Sequence, residues 1–137
     1  MRAINKLIVH CSATREGQNF SVDTIRDWHV KGRGWNDIGY HFYIDLDGEI
    51  FKGRDIAKIG AHVAGHNRYS IGICYCGGVE DTRNKKQKDA LLAVLRTLKA
   101  MYPDAAIHGH RDFAKKACPS FDATAEYGAL NIIPSVL

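Results

Sequence analysis

The chain lacks long apolar runs, internal repeats, low-complexity segments and any linker-like stretch. No window approaches the roughly 18 uninterrupted apolar residues of a membrane-spanning helix, so no membrane span is expected. The N-terminus has no basic segment followed by an apolar core and a small-residue cleavage site. A chain without a signal peptide is expected to start in the cytoplasm and to need another factor for any action outside. Charge of one sign is also in short supply: the formal net charge is +4. Such a mild, dispersed excess argues against nucleic-acid binding but suits an anionic polymer. Cysteine pairs at CxxC spacing are absent, and a disulfide framework is not expected for four cysteines in a cytosolic chain of this size.

What is present is ordinary for a soluble globular protein: 137 residues, 45% apolar and 25% charged. That length suits one domain with its own core, assigned to residues 1–137. A monomer is expected. "INKLIVHCS" reads as a strand buried on both faces, because Leu7, Ile8 and Val9 run together. "SVDTIRDWHVKG" reads as a helix capped by Ser21, with Val22, Ile25 and Trp28 on one side and Gly32 and Gly34 at its end. Two strand-like runs flank Asp47-Gly48, a tight-turn pair, and predict a hairpin. "YSIGICYCGG" predicts a further strand with Cys74 and Cys76 on one face as buried small residues. From Asn84 to Tyr102 the apolar positions Leu91, Val94, Leu95, Leu98 and Tyr102 recur at helical spacing, and Pro103 stops the run. Lys85, Lys86 and Lys88 read as its solvated face. "AAIHGH" is a short strand, and a loop and short helix follow Cys118. The mixture predicts an α/β fold with a single mixed central β-sheet flanked by helices.

Several side chains can carry chemistry. His10 ends the first strand, and His108 and His110 end the "AAIHGH" strand. Cys118 follows in a loop. Two imidazoles and a thiolate make a three-ligand zinc site that leaves a fourth position open, the arrangement of catalytic zinc. Spacing leaves His108 and His110 tied, and it leaves core or surface histidines as the alternative. Lys115 and Lys116 precede Cys118, and a nearby cation favours the thiolate. Strand alternation places Tyr40 and Phe42 on one face and His41 and Tyr43 on the other. Tyr40 reads either as core or as a proton donor facing a metal. His62 and His66 lie in a glycine-rich loop, where lone histidines are more often surface residues. Cys11, next to His10, points to the opposite face and reads as structural.

Taken in order, "IVHCSAT", "WNDIGYHFYI", "GAHVAGHN", "YSIGICYCGG", "HGHRD" and "KACPSFD" resemble the zinc-dependent N-acetylmuramoyl-L-alanine amidases of the short phage-lysozyme type. Their superfamily includes the peptidoglycan recognition proteins. The resemblance runs from about Ile4 to Asp122. It implies the peptidoglycan-recognition-protein-like amidase fold, one zinc ion, and His10, His110 and Cys118 as its ligands. It implies catalytic roles for Tyr40, beside the attacking water, and for Lys116, which would steady a developing oxyanion. The "GAHVAGHN" loop borders the stem-peptide groove, so His62 and Asn67 become candidate substrate contacts, with Trp35 beside them. His66 stands where the phage branch often has Tyr. Arg111 and Asp112 read either as supports for the ligands or as a surface ion pair.

The implied reaction is hydrolysis of the amide between N-acetylmuramic acid and L-alanine in peptidoglycan or muropeptides. The absence of a signal peptide and of a further wall-binding domain fits a phage or prophage endolysin released by another factor. Two alternatives fit parts of the same pattern: a non-catalytic peptidoglycan-binding module, and a cytosolic amidase that recycles muropeptides. The non-catalytic relatives typically lack the zinc-binding cysteine, and Cys118 is present.

Overall fold

The computed structural model describes residues 2–131; the domain span 1–137 expected from sequence extends past both ends. Strand β1 (Lys6–Cys11) is buried from Leu7 onward. β2 (Phe42–Ile44) and β3 (Ile50–Lys52) form the expected hairpin. Gly48, with φ +79°, takes the left-handed turn position that a side chain resists. β4 (Ser70–Tyr75) is buried at every position, and β5 (Ala106–Gly109) forms the far edge. Among the described residues they make one five-stranded sheet in the order β3-β2-β4-β1-β5. Only the β2–β3 pair is antiparallel; the other pairs are parallel. This is the mixed central sheet expected.

Helix α2 (Lys85–Met101) covers one face. Its start is fixed by a reciprocal cap: Asn84 Oδ1 accepts from the Gln87 backbone N–H (2.8 Å), and Gln87 Oε1 accepts from Asn84 N–H (3.2 Å). The buried Gln87 side chain also donates to the carbonyls of Asp45 and Cys76, tying the helix to the ends of β2 and β4. Leu91, Val94, Leu95 and Leu98 pack on Leu7, Val9, Ile71 and Ile73. Each such side chain, fully buried, contributes roughly 1.5–3 kcal/mol relative to exposure. Lys85, Lys86 and Lys88 are exposed.

The opposite face carries α1 (Val22–Asp27), capped by Ser21 Oγ, which accepts from Thr24 N–H at 3.2 Å. The helix continues as a π turn over Trp28–Gly32. Trp28 does not join the buried side: it is 45% exposed. Steps of three residues drift by about 60° around an α-helix, which swings Trp28 away from Val22 and leaves its ring against Phe20 at 5.4 Å. Ile25, Ile38, Tyr43, Cys74 and Cys76 form the small core here. Cys74 and Cys76 share this side as free thiols. Tyr40 packs on this same cluster, whereas Phe42 packs on the α2 side. The expected pairing of Tyr40 with Phe42 fails because the β2 ladder begins only at Phe42, so the period of two does not reach back to residue 40. The short helices α3 (Ala123–Glu126) and α4 (Gly128–Asn131) pack beside β5.

Candidate metal centre and active-site cleft

Parallel pairing brings the site together. Val9 of β1 lies opposite Gly109 of β5, so the next residues, His10 and His110, stand side by side with ring centroids 4.8 Å apart. A turn of 3-10 helix over His110–Asp112 then reverses the chain and returns Cys118 to the end of β1. There Cys118 Sγ accepts the Cys11 backbone N–H at 3.3 Å and lies 3.8 Å from His10 Nδ1. Arg111 donates from Nε and Nη2 to the Pro119 carbonyl (3.2 and 2.8 Å), clamping this loop. Tyr75 and Ser120 hold its other end through hydroxyls 2.6 Å apart.

One ligand atom each from His10, His110 and Cys118 lies within 4.8 Å of the others. Among the described residues no other such group of three occurs. His10 is buried, and its pKa is held well below the ordinary histidine value, by burial first and then by repulsion from His62, His110 and Lys116. His110 is lowered too, by burial and Lys116. Both rings are therefore neutral and carry a lone pair, as a metal requires. The Cys118 thiol is pushed up, first by its hydrogen bond with the Cys11 side chain and then by burial. The thiolate expected from "KKAC" is thus not what the free site favours: the bond to Cys11 and burial decide the Cys118 proton, although Lys116 is close enough to act on both histidines. A divalent cation between the three groups would supply what the lysines do not. Two neutral imidazoles and one sulfur within this spacing fit zinc.

His108 is not part of this group; its Nδ1 lies 3.3 Å from Asp112 Oδ2. Asp112 also accepts from Gly109 N–H and Thr124 Oγ, so it braces the turn after β5. Arg111 and Asp112 thus hold separate partners and form no ion pair with each other.

A cleft of about 470 Å³ opens beside the cluster. Tyr40, His110 and Lys116 line it together with Trp35, His62 and Asn67. The Tyr40 ring lies 5.0 Å from that of His10. Its pKa is raised well above the ordinary tyrosine value, chiefly by burial and then by Cys74 and Cys118, so the phenol keeps its proton. Trp35 packs at a tilt against His29, ring centroids 4.8 Å apart, and carries the Arg33 guanidinium over its face at 5.2 Å. Asn67 Oδ1 accepts from the backbone N–H groups of His62 and Val63 (3.0 and 2.9 Å), which shapes the loop. His62 is half-buried at the cleft wall, its Nδ1 2.8 Å from His10 Nε2. The His66 ring rests on Phe113 at 4.3 Å.

The sequence did not single out His29, Arg33 or Phe113, which also line the cleft. His29 and Arg33 come from the π turn and the residue after it, and nothing in the amphipathic pattern marks such a turn. His29 Nδ1 accepts from Gly39 N–H at 2.9 Å. A larger groove of about 720 Å³ lies between the hairpin and α2, but it is mostly apolar and lacks the histidine–cysteine cluster. Chemistry, not size, identifies the site.

Residues 1–121 match the N-acetylmuramoyl-L-alanine amidase family, and the chain belongs to it. An endolysin of Enterobacteria phage K11 is 45% identical over 124 residues, covering 86% of this chain and 82% of the relative. An endolysin of Escherichia phage T7 is 45% identical over 122 residues, covering 85% and 80%. Among solved structures, the N-acetylmuramoyl-L-alanine amidase LysC from Clostridium intestinale superposes with a TM-score of 0.84 at 30% identity, covering 96% of this chain and 88% of that one. A point mutant of the Drosophila recognition protein PGRP-LB, in complex with tracheal cytotoxin, gives 0.82 at 28% identity, covering 94% and 82%.

Proposed function

We infer that the chain is a single catalytic unit that hydrolyses the amide between N-acetylmuramic acid and L-alanine in peptidoglycan, with one zinc ion held by His10, His110 and Cys118. The observation that carries this reading is the convergence of those three side chains beside a cleft that His110 itself lines. When bound there, zinc supplies Lewis acidity toward the scissile carbonyl and lowers the pKa of water.

The chain's own residues do the rest. The cleft takes the stem peptide past Trp35, and Asn67 keeps the loop opposite in shape. Lys116, exposed at the cleft beside His10 and His110, brings an ammonium to the oxygen that gains charge as the carbonyl is attacked. Tyr40, held protonated, acts as an O–H donor that orients the attacking water and passes a proton onward. The buried walls around His10 exclude bulk water and so strengthen each of these interactions.

A binding-only role is disfavoured by the full ligand set together with Tyr40 and Lys116 in one cleft. No helix among the described residues is long and apolar enough to cross a membrane. The phage relatives are endolysins, which supports action on the bacterial wall for this chain. The test is cleavage of purified muropeptides with and without chelator. Cleavage that stops on zinc removal and returns on zinc addition supports the reading. Binding without cleavage at any zinc level excludes it.

A further inference from the structure

The hydrogen bonds behind His10 run in one direction. Ser70 is fully buried, and its hydroxyl lies 3.4 Å from the Asn67 carbonyl and 3.2 Å from His62 Nε2. Ser70 has one proton to give, and the arrangement that makes both contacts hydrogen bonds has it donate to the Asn67 carbonyl, which can only accept. The Ser70 oxygen then accepts from His62 Nε2–H. That leaves His62 Nδ1 as an acceptor, 2.8 Å from His10 Nε2. His10 therefore carries its proton on Nε2, and its bare Nδ1 is the atom turned toward Cys118 Sγ.

We infer that His62 is a positioning residue: by accepting the His10 Nε2 proton, it fixes the tautomer and ring orientation in which His10 Nδ1 binds the metal. This rests on the reading of His10, His110 and Cys118 as zinc ligands. A second observation supports it. Gly72 of β4 faces the His62 ring, and a Cβ there would come within 2.8 Å of its carbons. The strand is thus cut away to seat this imidazole beneath the ligand. Although His62 lines the cleft, its two ring nitrogens are engaged by His10 and Ser70, so it presents no free hydrogen-bonding atom to a substrate. Its effect passes through His10, and Ser70 sets the direction of the relay.

The experiment measures zinc affinity of the full chain by competition with a chromophoric chelator, independent of activity, for wild type, His62→Ala, His62→Asn and Ser70→Ala. Asn places an acceptor oxygen where His62 has Nδ1. His62→Ala is expected to weaken zinc binding about 10–100-fold, the usual effect of losing such a partner. His62→Asn is expected to recover most of that loss. Ser70→Ala, a change of one atom, is expected to weaken binding less than His62→Ala while the thermal melt stays cooperative; it keeps the test open if His62→Ala fails to fold. Nitrogen NMR of the zinc-loaded wild type is expected to show His10 protonated at Nε2. Unchanged affinity in His62→Ala and Ser70→Ala, an Asn variant as weak as the Ala variant, or a proton on His10 Nδ1 would each overturn the inference. A raised KM for muropeptide at unchanged zinc affinity would make His62 a substrate contact instead. If wild type binds no zinc, the metal reading itself falls, which is a different result from equal binding by all variants.

Discussion

Cys118 Sγ lies 3.8 Å from His10 Nδ1, although 108 residues separate them. Nothing local in the chain makes that contact. It follows from β1 sitting between β4 and β5 in the sheet and from the reversal after His110. Replacing Cys118 by Ser keeps the size but exchanges a soft ligand for a poor one. Cys118→Ser is expected to fold, to hold zinc far more weakly and to lose amide hydrolysis. Metal analysis beside a cleavage assay checks it, and wild-type turnover by this variant would remove Cys118 from the ligand set.

Lys116 contacts substrate, not metal, in this account. Lys116→Ala is expected to retain zinc stoichiometry while turnover drops about 100- to 1,000-fold, the range for loss of one oxyanion-stabilising group. A parallel loss of zinc and turnover would mean that Lys116 acts on the metal site.

Tyr40→Phe removes one oxygen and keeps the ring against His10. Turnover is expected to fall about 100- to 10,000-fold, with zinc affinity and melting temperature little changed. Turnover within a few-fold of wild type would assign Tyr40 to packing alone.

The histidines predict how stability depends on pH. His29 is lowered to about 4, by burial first and then by the charges of Arg33 and Arg54. His41 is lowered to about 4 by burial, only partly offset by its bond to the Lys58 carbonyl. Below the unfolded value of about 6.5, the unfolded chain binds protons that the native chain refuses. Stability is therefore full above that value and falls as pH drops toward 4. The carboxylates of Asp81 and Glu126 are held low by Arg83 and add little in this window. Urea midpoints of the metal-free protein between pH 7 and 4.5 check it, and a flat midpoint would contradict it.

The fold was legible wherever one signal dominated. The α2 stripe, the Asp47-Gly48 turn and the unbroken apolar run of β1 each stand alone as local evidence. Tyr40 was misplaced relative to Phe42 because alternation holds only inside a ladder, and Tyr40 precedes one. Trp28 was misjudged because a spacing of three drifts around a helix. At the site, residue type and resemblance pointed to His10, His110 and Cys118, which the structure brings together. The partners of each did not show, since the His62–Ser70 relay and the Arg111 clamp on Pro119 depend on where loops land. The charge logic of "KKAC" did not decide the Cys118 thiol, because its bond to Cys11 and its burial, neither visible in the sequence, outweigh a neighbouring cation.

Mass analysis of peptidoglycan digested by the purified protein, with zinc content measured on the same sample, tests the central claim most directly. About one zinc per chain is expected, with products that separate glycan bearing a free lactyl carboxyl group from peptides beginning with L-alanine. Cuts at a sugar–sugar or peptide–peptide bond, or the predicted cut by protein free of zinc, would contradict it.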